Sequence, residues 1–179
     1  VSTSPNFVLI GSTDPGTTVT VFYNQDTETI YTESVTPRSD GTFELEQSSD
    51  AELIPDGTYF VTAIATDPAG NISAQSNPLY FTIDDTKPSA PTSVQTSASI
   101  TNDITTLSIT GTAEAGSTVN LLNGITVIGT VNADDTSGEF TIVPSTALGE
   151  GDYNLTVTAT DQAGNISSPS DSIPVSIIF

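Results

Sequence analysis

The chain of 179 residues carries 22 acidic against 2 basic side chains, a formal charge of −20, and contains neither Cys nor His. That balance disfavours nucleic acid and anionic membrane surfaces, which are bound through Lys and Arg. The missing residue types remove disulfides, thiolate chemistry, the commonest general base and the usual zinc ligands. No stretch approaches the roughly 20 apolar residues of a membrane span and no signal peptide is present, so direct membrane insertion is not expected. The pattern is already under way at Val1 and still running at Phe179, so the sequence reads as an excerpt of something longer.

Taken in chain order, the first signals are turns between short apolar runs. Asp14-Pro15-Gly16, Ser39-Asp40-Gly41, Pro55-Asp56-Gly57 and Asp67-Pro68-Ala69-Gly70-Asn71 punctuate the first half at about the 8–12-residue spacing of all-β domains. Between them Tyr59, Val61, Ala63 and Ala65 alternate with Phe60, Thr62, Ile64 and Thr66. Period two with β-branched and aromatic residues predicts strands. Asp84-Asp85-Thr86-Lys87-Pro88-Ser89-Ala90-Pro91 follows as a linker that two prolines stiffen.

Beyond the linker the pattern repeats. Gly11-Ser12-Thr13-Asp14-Pro15-Gly16-Thr17-Thr18-Val19 returns as Gly111-Thr112-Ala113-Glu114-Ala115-Gly116-Ser117-Thr118-Val119. Ala65-Thr66-Asp67-Pro68-Ala69-Gly70-Asn71-Ile72-Ser73 returns as Ala159-Thr160-Asp161-Gln162-Ala163-Gly164-Asn165-Ile166-Ser167. A tandem array of one module follows, with boundaries at 1–85 and 86–179. The spacing predicts an all-β chain of two tandem seven-stranded antiparallel β-sandwiches joined end to end by the short Pro-containing linker. In the second copy the strands fall at 93–100 (A), 106–112 (B), 117–122 (C), 125–132 (D), 138–143 (E), 152–160 (F) and 171–178 (G). Asn123-Gly124 is a two-residue hairpin signal. Leu148 to Tyr153 has the form of a tyrosine corner.

In such a sandwich the B–C, D–E and F–G turns share the end at which the chain enters. Glu114, Asp134 with Asp135, and Asp161 are then gathered at the entrance of the second module, where Asp84 and Asp85 arrive. So many carboxylates with almost no basic partner repel one another unless a cation sits among them. Calcium suits an all-oxygen set in flexible geometry, magnesium prefers stricter octahedral sites, and zinc lacks its ligands here. Asp14, Asp40 and Asp67 repeat the cluster in the first module, whose own upstream linker lies outside the sequence, so that site is expected to be incomplete. Singly, each Asp is also a favoured turn former. Asp56 and Asp152 fall at the opposite end and are read that way.

The turn and linker residues just quoted resemble the bacterial immunoglobulin-like repeats of giant secreted adhesins and biofilm-associated surface proteins. The carriers are Ile109 to Val119, Ala159 to Asn165 and Asp84 to Pro88. The resemblance implies Ig-like modules stacked in large numbers, with calcium near their junctions stiffening a rod that carries a distal ligand-binding region. It implies a secreted or cell-surface location, neighbouring modules as partners, and Asp84, Asp85, Glu114 and Asp161 as the foremost ligands, with Asp67 and Asp14 matching by position. The family's D–E turn often reads Asp-Gly, as at Asp40-Gly41. The longer Asp134-Asp135-Thr136-Ser137-Gly138 leaves open which acid faces inward.

Rival readings differ in kind. Direct binding of glycan, host protein or ice, or lateral self-association in a biofilm, would use the module faces. Thr156, Thr158 and Thr160 form a Thr row, but the matching row in the first module is not all Thr, and few exposed aromatics are evident for a sugar. Catalysis is the weakest reading: Ser lacks a nucleophile context, and the paired carboxylates sit on turns without the aromatic cleft a glycosidase needs.

Overall fold

Alternation is realised as strands wherever it occurs. The computed structural model describes residues 8–46, 55–102, 107–146 and 148–179, and no helix is found among them. The chain divides into two compact units, Val1–Asp85 and Thr86–Phe179.

Unit 1 holds β1 (Val8–Ser12), β2 (Thr18–Gln25), β3 (Glu28–Val35), β4 (Thr42–Glu46), β5 (Gly57–Thr66) and β6 (Leu79–Ile83). They form a four-stranded sheet in the order β3-β2-β5-β6 and a two-stranded sheet β1-β4, antiparallel throughout. Unit 2 holds β7 (Thr92–Thr96), β8 (Ile100–Thr101), β9 (Ile109–Thr112), β10 (Thr118–Asn123), β11 (Thr126–Asn132), β12 (Glu139–Ile142), β13 (Gly151–Thr160) and β14 (Ile173–Ile177). Its sheets run β11-β10-β13-β14-β8 and β12-β9-β7.

The inward half of each alternation makes the core. Val19, Val21, Tyr23, Phe43, Leu45 and Val61 cluster in unit 1. Unit 2 clusters fourteen buried residues, with Ile109, Val119, Leu121, Leu155, Val157 and Ile177 wholly inaccessible. Each such side chain contributes about 1.5–3 kcal/mol of transfer free energy. Among the described residues β1 pairs only with β4, whereas its counterpart β9 is flanked by both β12 and β7. Leu9 is accordingly half-buried beside an apolar cleft of about 320 Å³ that Phe43, Val61 and Leu79 also line, while Ile109 is buried.

The hairpin and corner signals are present in both units. Asn123 pairs with Thr126 across a two-residue loop, and Gln25 pairs with Glu28 in the same way. Gly124 and Asp26 supply the positive φ, 61° and 52°, that such loops need. The Tyr59 hydroxyl donates to the Pro55 carbonyl at 2.6 Å and the Tyr153 hydroxyl to Gly149 at 3.1 Å. The expected strand over 93–100 is instead two pieces on different sheets: β7 runs antiparallel to β9, and β8 pairs in parallel with β14. Between them the Thr96 hydroxyl donates to the Ala98 carbonyl at 2.8 Å, a local bond that turns the chain out of the first ladder.

Candidate functional site

The two F–G turns explain the longest repeated segment of the sequence. Asp67 Oδ1 accepts the backbone N–H groups of Ala69 and Asn71 at 2.9 and 2.8 Å, and Oδ2 accepts the Asn71 side-chain amide at 2.8 Å. Asp161 repeats this with Asn165, at 2.8 Å from its backbone N–H and 2.9 Å from its side chain. Gly70 and Gly164 follow with φ of 88° and 95°, which only glycine adopts without strain. Ser73 and Ser167 then accept the Ala65 and Ala159 amides at 2.9 Å, six residues before β6 and β14 begin. The Asp, Asn and Ser side chains of the repeat are therefore tied into the turn.

These bonds set the charge. Asp67 lies below the usual carboxylate range because the Asn71 side chain and backbone stabilise its charged form. At Asp161 partial burial acts upward, but the Asn165 side chain, its backbone and the Gly164 and Ala163 amides outweigh it, so the net direction is down. The backbone amides of Ser137 and Thr136 with the Ser137 hydroxyl lower Asp134, and the Thr42 hydroxyl and amide lower Asp40. All four are ionised at neutral pH.

The D–E turns are less alike than their acids suggest. Gly41 and Gly138 are equivalent: their carbonyls accept the Thr13 and Ala113 amides at 2.9 Å, and both have φ near 80° and 70° (82° and 71°). The residue that opens the turn is Arg38 in unit 1 and Asp134 in unit 2, each bonded through its N–H to the carbonyl of the residue after the glycine, Thr42 or Glu139. Asp40 thus corresponds to Ser137, whose hydroxyl accepts the Glu139 amide as Asp40 accepts the Thr42 amide. Where unit 2 carries Asp134, unit 1 carries a cation, and Arg38 is engaged with Glu44 at 2.7 Å.

In unit 2 the inward acid is Asp135. Its Oδ1 lies 3.5 Å from where a Cβ on Gly116 would stand, and Gln162 Nε2 lies 3.9 Å from the same point. The B–C, D–E and F–G turns therefore meet over Gly116. Thr92 pairs with Thr112 at this end, so residues 86–91 enter the unit beside the three turns. Glu114 sits in the B–C turn, its carbonyl accepting the Ser117 amide at 3.1 Å. The Ser117 hydroxyl is buried there without a partner, whereas the Thr17 hydroxyl donates to the Asp14 carbonyl at 2.9 Å. In unit 1, Asp14, Asp40 and Asp67 stand on the corresponding turns, and the latter two spend their oxygens on Thr42 and Asn71. Among the described residues no three carboxylates stand close enough together to hold a metal by themselves.

Asp84 and Asp85 follow β6. The Asp85 amide donates to Asp56 Oδ1 at 2.7 Å, which places Asp56 opposite the three acidic turns of unit 1, as expected, and therefore beside the linker by which the chain leaves the unit. Antiparallel pairing of Gly57 with Ile83 sets the residue before the one beside the residues after the other, a register that only the structure supplies. The place of Asp56 is taken in unit 2 by Glu150; Asp152 stands at the place of Thr58 and accepts the Ser176 hydroxyl at 2.6 Å. As a donor set the exposed carboxylates fit a hard cation: all offer oxygen, several are held ionised, and Gly116 leaves space beneath Asp135.

Residues 1–86 and 85–177 each match the model of the bacterial Ig-like domain, and the chain belongs to that family, with two copies in tandem. Chitinase A1 of Niallia circulans is 32% identical over 125 residues, which are 66% of this chain and 17% of that protein. A tetra-tandem repeat from the extending region of a large adhesion protein aligns over 99% of this chain and 46% of its own at 23% identity, with a TM-score of 0.41. A Ca2+-stabilized adhesin with which an Antarctic bacterium reaches out and binds ice aligns over 98% and 44% at 22% identity, with a TM-score of 0.46. The chain thus spans less than half the length of each of these three.

Proposed function

We propose that this chain is a non-catalytic extender segment of a secreted bacterial cell-surface adhesin, in which calcium at the linker fixes one module against the next. The reading is supported by family membership in tandem and carried by one observation: Glu114, Asp135 and Asp161 occupy the three turns beside which residues 86–91 enter unit 2, directly after Asp84 and Asp85. The ligands would be drawn from these acids and completed by backbone carbonyls, since no three carboxylates among the described residues lie close enough to hold the ion by themselves. Asp56 holds the Asp85 amide at the end of unit 1. Calcium accepts six to eight oxygens, backbone carbonyls included, and binds extracellular modules at roughly 10⁻⁴–10⁻³ M. If the ion binds only the ordered junction, it adds about 2.7 kcal/mol to that order at a hundredfold excess over its dissociation constant. Outside the cell such a chain is a stiff spacer; without calcium it is jointed.

Small-angle scattering with calcium and then with excess chelator tests this. Chelation is expected to broaden the distance distribution, and Asp85→Ala in calcium to reproduce the broadening. An identical profile in both conditions overturns the calcium reading and leaves the acids as solvated turns.

A further inference from the structure

We infer that unit 1, unlike unit 2, also carries a binding face for a neutral carbohydrate, a platform formed by Phe22, Phe60 and Tyr80 on the outer side of the four-stranded sheet. The core takes Val19, Val21 and Tyr23 of β2 and Tyr59 and Val61 of β5. Alternation therefore turns Thr20 and Phe22 of β2, Thr58, Phe60 and Ile64 of β5, and Tyr80 and Thr82 of β6 to the other side, where Phe22 and Phe60 are half-buried, while Asn24 and Thr62 on the same side are covered. Phe60 pairs with Tyr80 across the ladder, ring centroids 5.5 Å apart and planes at 42°. Phe22 stands opposite Thr62, one diagonal step from Phe60. The three rings form a staircase over three strands, about 10 Å at the usual strand spacing, the length of a disaccharide. Tyr80 is 67% exposed.

Two observations separate this face from an ordinary cross-strand pair. The same positions in unit 2 hold Leu122, Asn154 and Pro174, and the sandwich forms there without the rings. And although the chain carries 22 acids, every outward position of β2, β5 and β6 is uncharged. The rings are bordered by exposed amide and hydroxyl groups: Gln75, whose Nε2 is anchored on the buried Thr62 Oγ1 at 2.7 Å, and Thr58 and Thr82, whose hydroxyls lie 3.5 Å apart. Position 75 is Pro169 in unit 2, so the Gln75 amide belongs to unit 1 alone, and where unit 1 has the neutral Thr58 and Thr82 pair unit 2 has the charged Asp152 beside Ser176. An apolar patch rimmed by polar groups marks an interaction site. Aromatic faces are electron-rich and attract the polarised C–H groups of a pyranose face, while the rim bonds its equatorial hydroxyls. A β-linked neutral hexopyranose chain has that composition: C–H faces, hydroxyl edges, no charge to meet the acidic chain.

The proposal goes beyond the spacer reading and is independent of it, since the platform contains no carboxylate. The two-unit chain is titrated with cellohexaose, laminarihexaose and chitohexaose, with oligogalacturonate as the charged control, in calcium and in chelator. Binding is followed by amide and Gln75 side-chain NMR shifts. The expected result is that at least one neutral sugar shifts the outer positions of β2, β5 and β6 equally in both buffers, while oligogalacturonate does not. Tyr80→Ala and Phe60→Asn, the latter the residue unit 2 already holds, should weaken binding about tenfold or more with circular dichroism unchanged. No shift from any neutral sugar at about 10 mM, well above a millimolar constant, overturns the proposal. Shifts at this face that depend on protein concentration alone also overturn it, naming a second copy of the chain as the occupant.

Discussion

Asp161 and Asp67 show how one side chain serves the turn before it can serve an ion. Each closes its F–G turn with both carboxylate oxygens, and the bonds that do so hold it below the usual carboxylate range. A carboxyl with a lowered folded pKa contributes stability that is present above its unfolded value, about 3.9, and lost as pH falls through the folded value. The urea midpoint difference between wild type and Asp161→Asn should therefore be largest from pH 7 to 5 and shrink toward zero below about pH 4. A double difference of this kind cancels the general relief of repulsion that protonating a strongly acidic chain brings. A gap that stays constant down to pH 2 would mean that the charge of Asp161 adds nothing to the turn. That the repeated acids are turn formers was legible in the sequence, since each precedes a glycine or asparagine at turn spacing. Their equivalence between copies was not: one extra residue in the second D–E turn moves Asp134 onto the place of Arg38 and leaves Ser137 opposite Asp40.

At the scale of elements, the glycine of the D–E turn is what locks two turns together. A Cβ at Gly138 would run into the Ala113 carbonyl, and φ is 71°; at Gly124 φ is 61° but the space is open. Left-handed backbone alone costs an alanine about 1–2 kcal/mol, so Gly124→Ala should lose about that much. Gly138→Ala should lose at least about 1 kcal/mol more, because the clash with fixed backbone adds to the strain. Chemical denaturation of the two variants side by side reads the difference; equal losses would mean the two turns are not coupled. Strands, hairpins and tyrosine corners were legible because period-two alternation, Asn-Gly and a tyrosine two residues after a glycine are local signals. The division of 93–100 into β7 and β8 was not, because it depends on which sheet each half finds after Thr96 bonds Ala98. The outer aromatic staircase was hidden for a related reason: Phe22, Phe60 and Tyr80 lie far apart in sequence and only the register of β2, β5 and β6 sets them side by side.

At the scale of the molecule, two cores in one chain predict two unfolding steps. Unit 1, with its half-buried Leu9 and open cleft, should unfold at lower urea than unit 2, whose β9 is flanked on both sides. Tyr23 supplies a label for the first step. Burial, then Glu33 and Tyr31, push its hydroxyl up to about 12, so its contribution is present below the ordinary tyrosine value near 10 and is lost as pH rises through 12. The first transition should move to lower urea over that range, ahead of the second; a single transition at every pH would contradict the independence of the units. In unit 2 the short β8 runs parallel to the last strand, β14, with Ser176 opposite Ile100 and Ile177 opposite Thr101, and further backbone bonds from Ser176 to Ser99 and from Ile178 to Thr101. A pull on the two ends of the unit drags these strands in opposite directions along their length. The bonds between them are then loaded together and not opened one after another, so a patch only two residues long becomes a mechanical clamp for whatever the chain is tethered to.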